Sequence, residues 1–226
     1  MIRVMCSGRV DPVMVMDAFV EGADGVFVGA CKRGECHYTS GNLHAEGKMD
    51  LTRRLMRLAG IDTGRLVMRM MSSAEGNKFT EFATAFQAEV SELGPMGKSE
   101  GIPAEDLPVK LQALRKALAG RKLRWVVGKV VEFMEEGNLY GEVFTGHEIG
   151  RLLEETAMDE YRLREILERL DAGPRSVKTL ASETGAPARV VLRQMADLRK
   201  MGLAGIEGVD GDSAVWALAG DGKTYE

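Results

Sequence analysis

The sequence predicts an α/β chain with a small three-layer parallel-sheet domain at its N-terminus, a helical middle and a C-terminal winged helix-turn-helix. Three observations carry that prediction. Short β-rich runs alternate with helical patterns over the first 95 residues. Helical periodicity alone fills most of 109–157. Residues 159–220 then read as three helices followed by two β-rich runs joined by a turn. The expected divisions are an α/β domain over 1–95, a linker and helical segment over 96–158, and a winged-helix-like domain over 159–226.

IRVMCSG (2–8) is a short β-rich run closed by Ser-Gly. Asp11-Pro12 opens a helix, the acid as N-cap and the proline at the first helical position. Val13, Met16 and Val20 recur there at helical spacing. GVFVGA (25–30) and RLVMRMMS (65–72) are the second and third strands. Between them a helix over 44–59 turns Met49, Leu51, Leu55 and Leu58 towards the core. A third helix over 75–94 carries Phe79, Phe82, Phe86 and Val90 on one stripe. Strands joined by helical crossovers pair in parallel and are covered on both faces. Three strands make a thin sheet, which would gain from a further strand.

PMGKSEGIPAEDLP (95–108) has the Pro, Gly and charge content of a linker. Helices follow at 109–119 and 121–136. Thr145 and Glu148 have the spacing of a capping box opening a helix over 146–157. The C-terminal part has helices over 160–171 and 176–183, and a third from Pro187 to Gly202. The runs LAGIE (203–207) and SAVWAL (213–218) flank the turn GVDGD.

The formal net charge is −4, and none of the three regions has the basic excess that phosphate binding needs. No apolar run approaches the ~20 residues of a membrane helix, and Arg3, Asp11 and Asp17 interrupt any signal-peptide pattern. A cytoplasmic protein is expected. There is no Gly-x-Gly-x-x-Gly, no phosphate-binding Walker loop and no serine elbow, so no complete active site is legible.

The chemistry is concentrated in VGACKRGECHY (28–38), which holds two of the three cysteines, Cys31 and Cys36, together with His37. Cys6 ends the first expected strand and Cys31 the second, and ligands gather at the carboxyl ends of parallel strands. Thiolates placed together repel unless a cation binds them. Gly8, Gly29 and Gly34 leave room for close backbone approach. The Cys-x4-Cys spacing is part of a plant-type iron–sulfur pattern without its following Cys-x2-Cys. Zinc bound by Cys6, Cys31 and Cys36 with His37 or His44 is an alternative, and so are three small buried hydrophobes.

RVMCSGRVDP (3–12), AFVEGADGVFVGACKRGECHYTSGN (18–42) and SAEGNKF (73–79) resemble the delta subunit of methyl-viologen-reducing hydrogenase. The resemblance covers residues 2–94. It implies a [2Fe–2S] cluster and electron relay between an oxidoreductase module and a heterodisulfide-reductase-A-like flavin subunit where electrons bifurcate. It also implies Cys6, Cys31 and Cys36 as cluster ligands, with His37 a further candidate. Members of that family usually carry a strand with Cys-x2-Cys ahead of this region, whereas Met1 stands directly at the match. Three completions follow. A partner protein supplies the missing strand and thiols, which is the expectation. Otherwise His37 or His44 ligates, or the cluster is lost and the fold serves as an adaptor.

In the tail, Val191, Met195, Leu198 and Met201 form the expected buried stripe of 187–202, while Arg189, Arg193 and Lys200 face outward beside Asp197. With an acidic domain, protein docking is expected over DNA binding. The leading functional expectation is an electron-transfer subunit of a multisubunit oxidoreductase. The alternatives are a metal- or redox-sensing winged-helix regulator and a zinc-stabilised structural adaptor.

Overall fold

A computed structural model describes residues 1–220. Asp11 accepts from the Val13 N–H at 2.9 Å and caps α1 (Pro12–Val20) as its Asp-Pro sequence dictates. The chain then forms β1 (Val26–Ala30), α2 (Gly41–Leu58), β2 (Leu66–Met70) and α3 (Gly76–Leu93). β1 and β2 pair in parallel, Val26 opposite Leu66 and Ala30 opposite Met70. Alternate side chains of β1 serve opposite faces. Val28 joins a core with Met16 and Phe19 of α1 and Met49, Leu51 and Leu55 of α2. Phe27 meets Phe79 and Phe86 of α3, with ring centroids 6.1 and 5.8 Å away.

The sheet is a pair, not the expected triplet. Residues 2–8 form no strand: 2–5 are irregular, and Ser7–Arg9 is a single 3-10 turn. Their β propensity finds no ladder partner, and propensity without pairing does not make a strand.

The Gly/Pro-rich segment 95–105 is not a free linker, because Arg65 fastens it. Arg65 is completely buried. Its guanidinium donates to the carbonyls of Asp24 and Gly94 at 3.0 and 2.8 Å, to Ser99 Oγ at 3.0 Å and to Glu100 at 2.6 Å. A planar donor with five N–H groups suits such a convergence of acceptors.

The middle is helical: α4 (Asp106–Ala119), α5 (Arg121–Glu135) and α6 (Gly146–Asp171). The Thr145–Glu148 capping box forms as the sequence predicts. The helices expected at 146–157 and 160–171 are one 26-residue helix, since no Gly or Pro interrupts 151–172. Its first half packs Ile149, Leu153, Ala157 and Tyr161 into the first core, and from Ile166 onward it serves a second core. Lys110 pairs with Glu165 at 3.6 Å, Lys116 with Glu168 at 2.6 Å, and Arg169 with Asp106, an ionic seam between α4 and α6.

The second core gathers Leu170, Leu180, Val191, Met195, Leu198 and Trp216. It is built from the end of α6, β3 (Arg175–Ser176), α7 (Val177–Thr184), α8 (Ala188–Lys200), β4 (Ala204–Asp210) and β5 (Ser213–Leu218). The strands are antiparallel in the order β3-β5-β4. Val191, Met195 and Leu198 are buried as their spacing predicts, but Met201 is exposed. It lies beyond the last turn of α8, where the apolar stripe has run off the core.

Candidate cysteine site

The site is assembled where the turn after Cys6 meets the start of α2. Cys6 is extended (φ −149°, ψ 142°) and its Sγ accepts from the Gly8 N–H at 3.4 Å. Gly8 and Gly41 approach each other so closely that a Cβ on Gly8 would stand 2.9 Å from the Gly41 carbonyl oxygen. A Cβ on Gly41 would stand 2.4 Å from Cys6 Sγ and 3.4 Å from Cys36 Sγ. Both sulfurs thus crowd the first residue of α2. Cys6 reaches this place through a glycine–glycine contact, not from the end of a strand.

Burial raises the Cys36 thiol, but the N–H groups of Asn42, Tyr38 and Gly41 and the Cys6 thiol outweigh it and hold Cys36 below the ordinary thiol range. Gly41 and Asn42 open α2, so their N–H groups have no helical acceptor and are free to face a sulfur. The loop between β1 and α2 is held in shape by Asn42. Its Nδ2 donates to the carbonyls of Cys31 and Lys32 at 3.1 and 2.8 Å. Gly34 has φ +80° and permits the turn that carries Cys36 back.

The structure therefore joins Cys6 and Cys36 and ties the backbone of Cys31 to the same helix start. His37 is exposed and stacks edge-on against Tyr38 with centroids 5.1 Å apart. His44 lines the wall of a pocket. Among the described residues, no three His, Cys, Asp or Glu side chains stand close enough together to hold a metal ion. Two of the three expected ligands, the Cys6 and Cys36 thiols, thus stand against a rim of N–H donors.

That pocket, of about 890 Å³, opens beside Cys6 between the N-terminal run, α2 and Gly128 of α5. Lys48 donates to the Gly8 carbonyl at 2.7 Å from its edge. On the other side of the loop, Lys32 pairs with Glu75 at 2.8 Å and Arg33 with Glu46 at 2.7 Å. Lys32, Lys78 and the Ser72 N–H lower the Glu75 carboxyl to about 2. Gly41, Asn42 and Lys48 escape sequence reading, because a Gly-Asn pair after Thr-Ser reads only as loop. A helix start directly behind a cysteine loop is the signal that would have found them.

The methyl-viologen-reducing hydrogenase delta subunit family matches residues 1–94, the part that contains all three cysteines. The F420-non-reducing hydrogenase iron–sulfur subunit of Archaeoglobus profundus is 44% identical over 94 residues, covering 42% of this chain and 69% of that protein. The corresponding vhu iron–sulfur subunit of Methanopyrus kandleri is 38% identical over 95 residues, covering 42% of this chain and 72% of that one. One component of the ferredoxin:CoB-CoM heterodisulfide reductase of Methanosarcina mazei is 43% identical over 96 residues, 42% of this chain. The chain spans only 12% of the length of that relative. Through its residues 1–94, the chain belongs to the methyl-viologen-reducing hydrogenase delta subunit family.

Proposed function

We propose that this chain is an electron-transfer subunit of a cytoplasmic multisubunit oxidoreductase. It carries a [2Fe–2S] cluster ligated by Cys6, Cys31 and Cys36, and a partner protein completes the ligand set. When bound, such a cluster supplies a one-electron centre. The observation that carries the reading is the paired Cys6 and Cys36 thiols inside a region 44% identical to an iron–sulfur subunit. The Gly8 N–H holds the Cys6 sulfur, and the N–H groups of Asn42, Tyr38 and Gly41 favour the thiolate form of Cys36. The partner that fits is a heterodisulfide-reductase-A-like flavin and iron–sulfur protein.

The proposed divisions are 1–95, 96–158 and 159–226, with α6 running through the second boundary. We read the C-terminal unit as a winged helix-turn-helix used for protein docking. Arg193 pairs with Asp159 at 3.5 Å and Lys200 with Asp197 at 3.2 Å, which reduces the charge α8 offers to phosphates. The hairpin carries exposed Glu207, Asp210 and Asp212, which repel them.

Iron and acid-labile sulfide, measured on the isolated chain and on its native complex, test the proposal. The expected result is a full complement in the complex and a deficit in the isolated chain. Zinc in place of iron overturns the electron-transfer reading. A full cluster on the isolated chain, retained after His37 and His44 are replaced, overturns the shared ligand set.

A further inference from the structure

We infer that the pocket beside Cys6 is the docking site for an acidic segment of a redox partner protein, seated by Arg3 and Arg9. This rests on the electron-transfer reading and adds the face through which the partner engages. The pocket wall includes Arg3, Met5, Cys6, Arg9, His44 and Lys48, and among the described residues no Asp or Glu contributes to it.

The charges around the cysteine loop are asymmetric. Lys32 and Arg33, on one side, are neutralised by Glu75 and Glu46. Arg3 and Arg9, on the pocket side, make no side-chain hydrogen bond or ion pair among the described residues. Asp11, two positions along from Arg9, is already engaged with Arg124 at 2.9 Å. On a chain of net charge −4, unpaired cations lining one concave surface single out that surface. Such a concentration of one sign attracts the opposite sign and orients its approach.

The pocket also has an apolar component. Val4 and Met5 line it, and Met5 is 85% exposed. Ile2, in the same irregular run, is 78% exposed. Large apolar side chains beside unpaired arginines match the composition of protein interfaces, where Met and Arg are enriched. A duplex backbone would leave those apolar groups in water, so a protein segment is the better occupant. Docking here brings the partner against the Cys6 edge of the site.

The test uses the full chain, tagged and isolated with its native complex. A water-soluble carbodiimide joins a lysine amine directly to a touching carboxylate, and mass spectrometry reads the product. The expected product links Lys48 to an Asp or Glu of the partner protein. Arg3→Glu with Arg9→Glu should abolish that link and lower partner retention at about 150 mM NaCl by at least about tenfold, on the order expected from losing charge-paired contacts. Arg3→Lys with Arg9→Lys should restore most of it, and Arg57→Glu at the far end of α2 should change nothing. Urea midpoints of all variants should match the parent.

Retention of the partner by the charge-reversed chain, with unchanged salt sensitivity, overturns the inference. So does a Lys48 link formed only to a second copy of this chain, release by nuclease, or a chain that isolates alone at low salt. Iron in the unmodified complex reports separately on the cluster. A complex without iron that still loses its partner on charge reversal refutes the cluster and keeps the docking surface.

Discussion

Replacing Gly41 with alanine separates the site from the fold. The added Cβ would lie 2.4 Å from Cys6 Sγ, about 1 Å inside ordinary contact. Cys6 can relieve this by rotating its side chain, at the expense of its bonds to the Gly8 N–H and to Cys36. Two neutral hydrogen bonds contribute about 0.5–1.5 kcal/mol each. The better helix propensity of alanine returns up to about 1 kcal/mol of that. The expected stability loss in urea unfolding is therefore between about 0 and 3 kcal/mol. Iron retention by the complex should fall further, by about 10–100-fold in affinity, the range seen when groups that hold metal ligands in place are removed. Gly47→Ala in the same helix is the control: its Cβ would meet only Val127 Cγ2, at 4.0 Å. Parent-like iron content and stability in Gly41→Ala would refute the crowding of both sulfurs at the α2 start.

Other outcomes follow from the same contacts. Arg65→Met leaves Glu100 buried without its cation and should cost about 3–5 kcal/mol in urea unfolding, with partial recovery when Glu100→Gln is added. Burial pushes the Glu100 carboxyl up, but Arg65 and Ser99 outweigh it and hold it at about 2, and Glu75 is also held at about 2. Both carboxyls are thus depressed below their ordinary 4.5. Their stabilisation is complete above that value and is lost as pH falls towards 2. Thermal melting against pH should show this loss, and a Glu75→Gln, Glu100→Gln chain should show a flatter acid limb. Leu180→Ala empties a fully buried site in the second core and should destabilise that unit by about 2–5 kcal/mol. Hydrogen exchange should then report the loss first in α7 and α8.

The sequence reveals most elements where a local rule is sufficient. Asp11-Pro12 marks α1, Thr145 and Glu148 mark α6, and the β1 and β2 runs are apolar and short. It misleads where pairing decides. The run 2–8 has strand-like residues but no ladder, so the meeting of Cys6 and Cys36 follows from Gly8 and Gly41 and not from strand ends. Segment 95–105 has the composition of a linker, yet the buried Arg65 fixes it through bonds to Ser99 and Glu100, 34 and 35 positions along the chain. A lone arginine before a strand carries no sign of that role. The division of α6 between two cores is also tertiary, since nothing near Tyr161 or Ile166 interrupts the helix.

Electron paramagnetic resonance of the reduced native complex tests the central claim most directly, as the difference between the parent and a Cys36→Ser chain. The account predicts a spin-one-half [2Fe–2S] signal that Cys36→Ser removes or shifts, while the signals of other components stay in place. Identical spectra from the two complexes would contradict it.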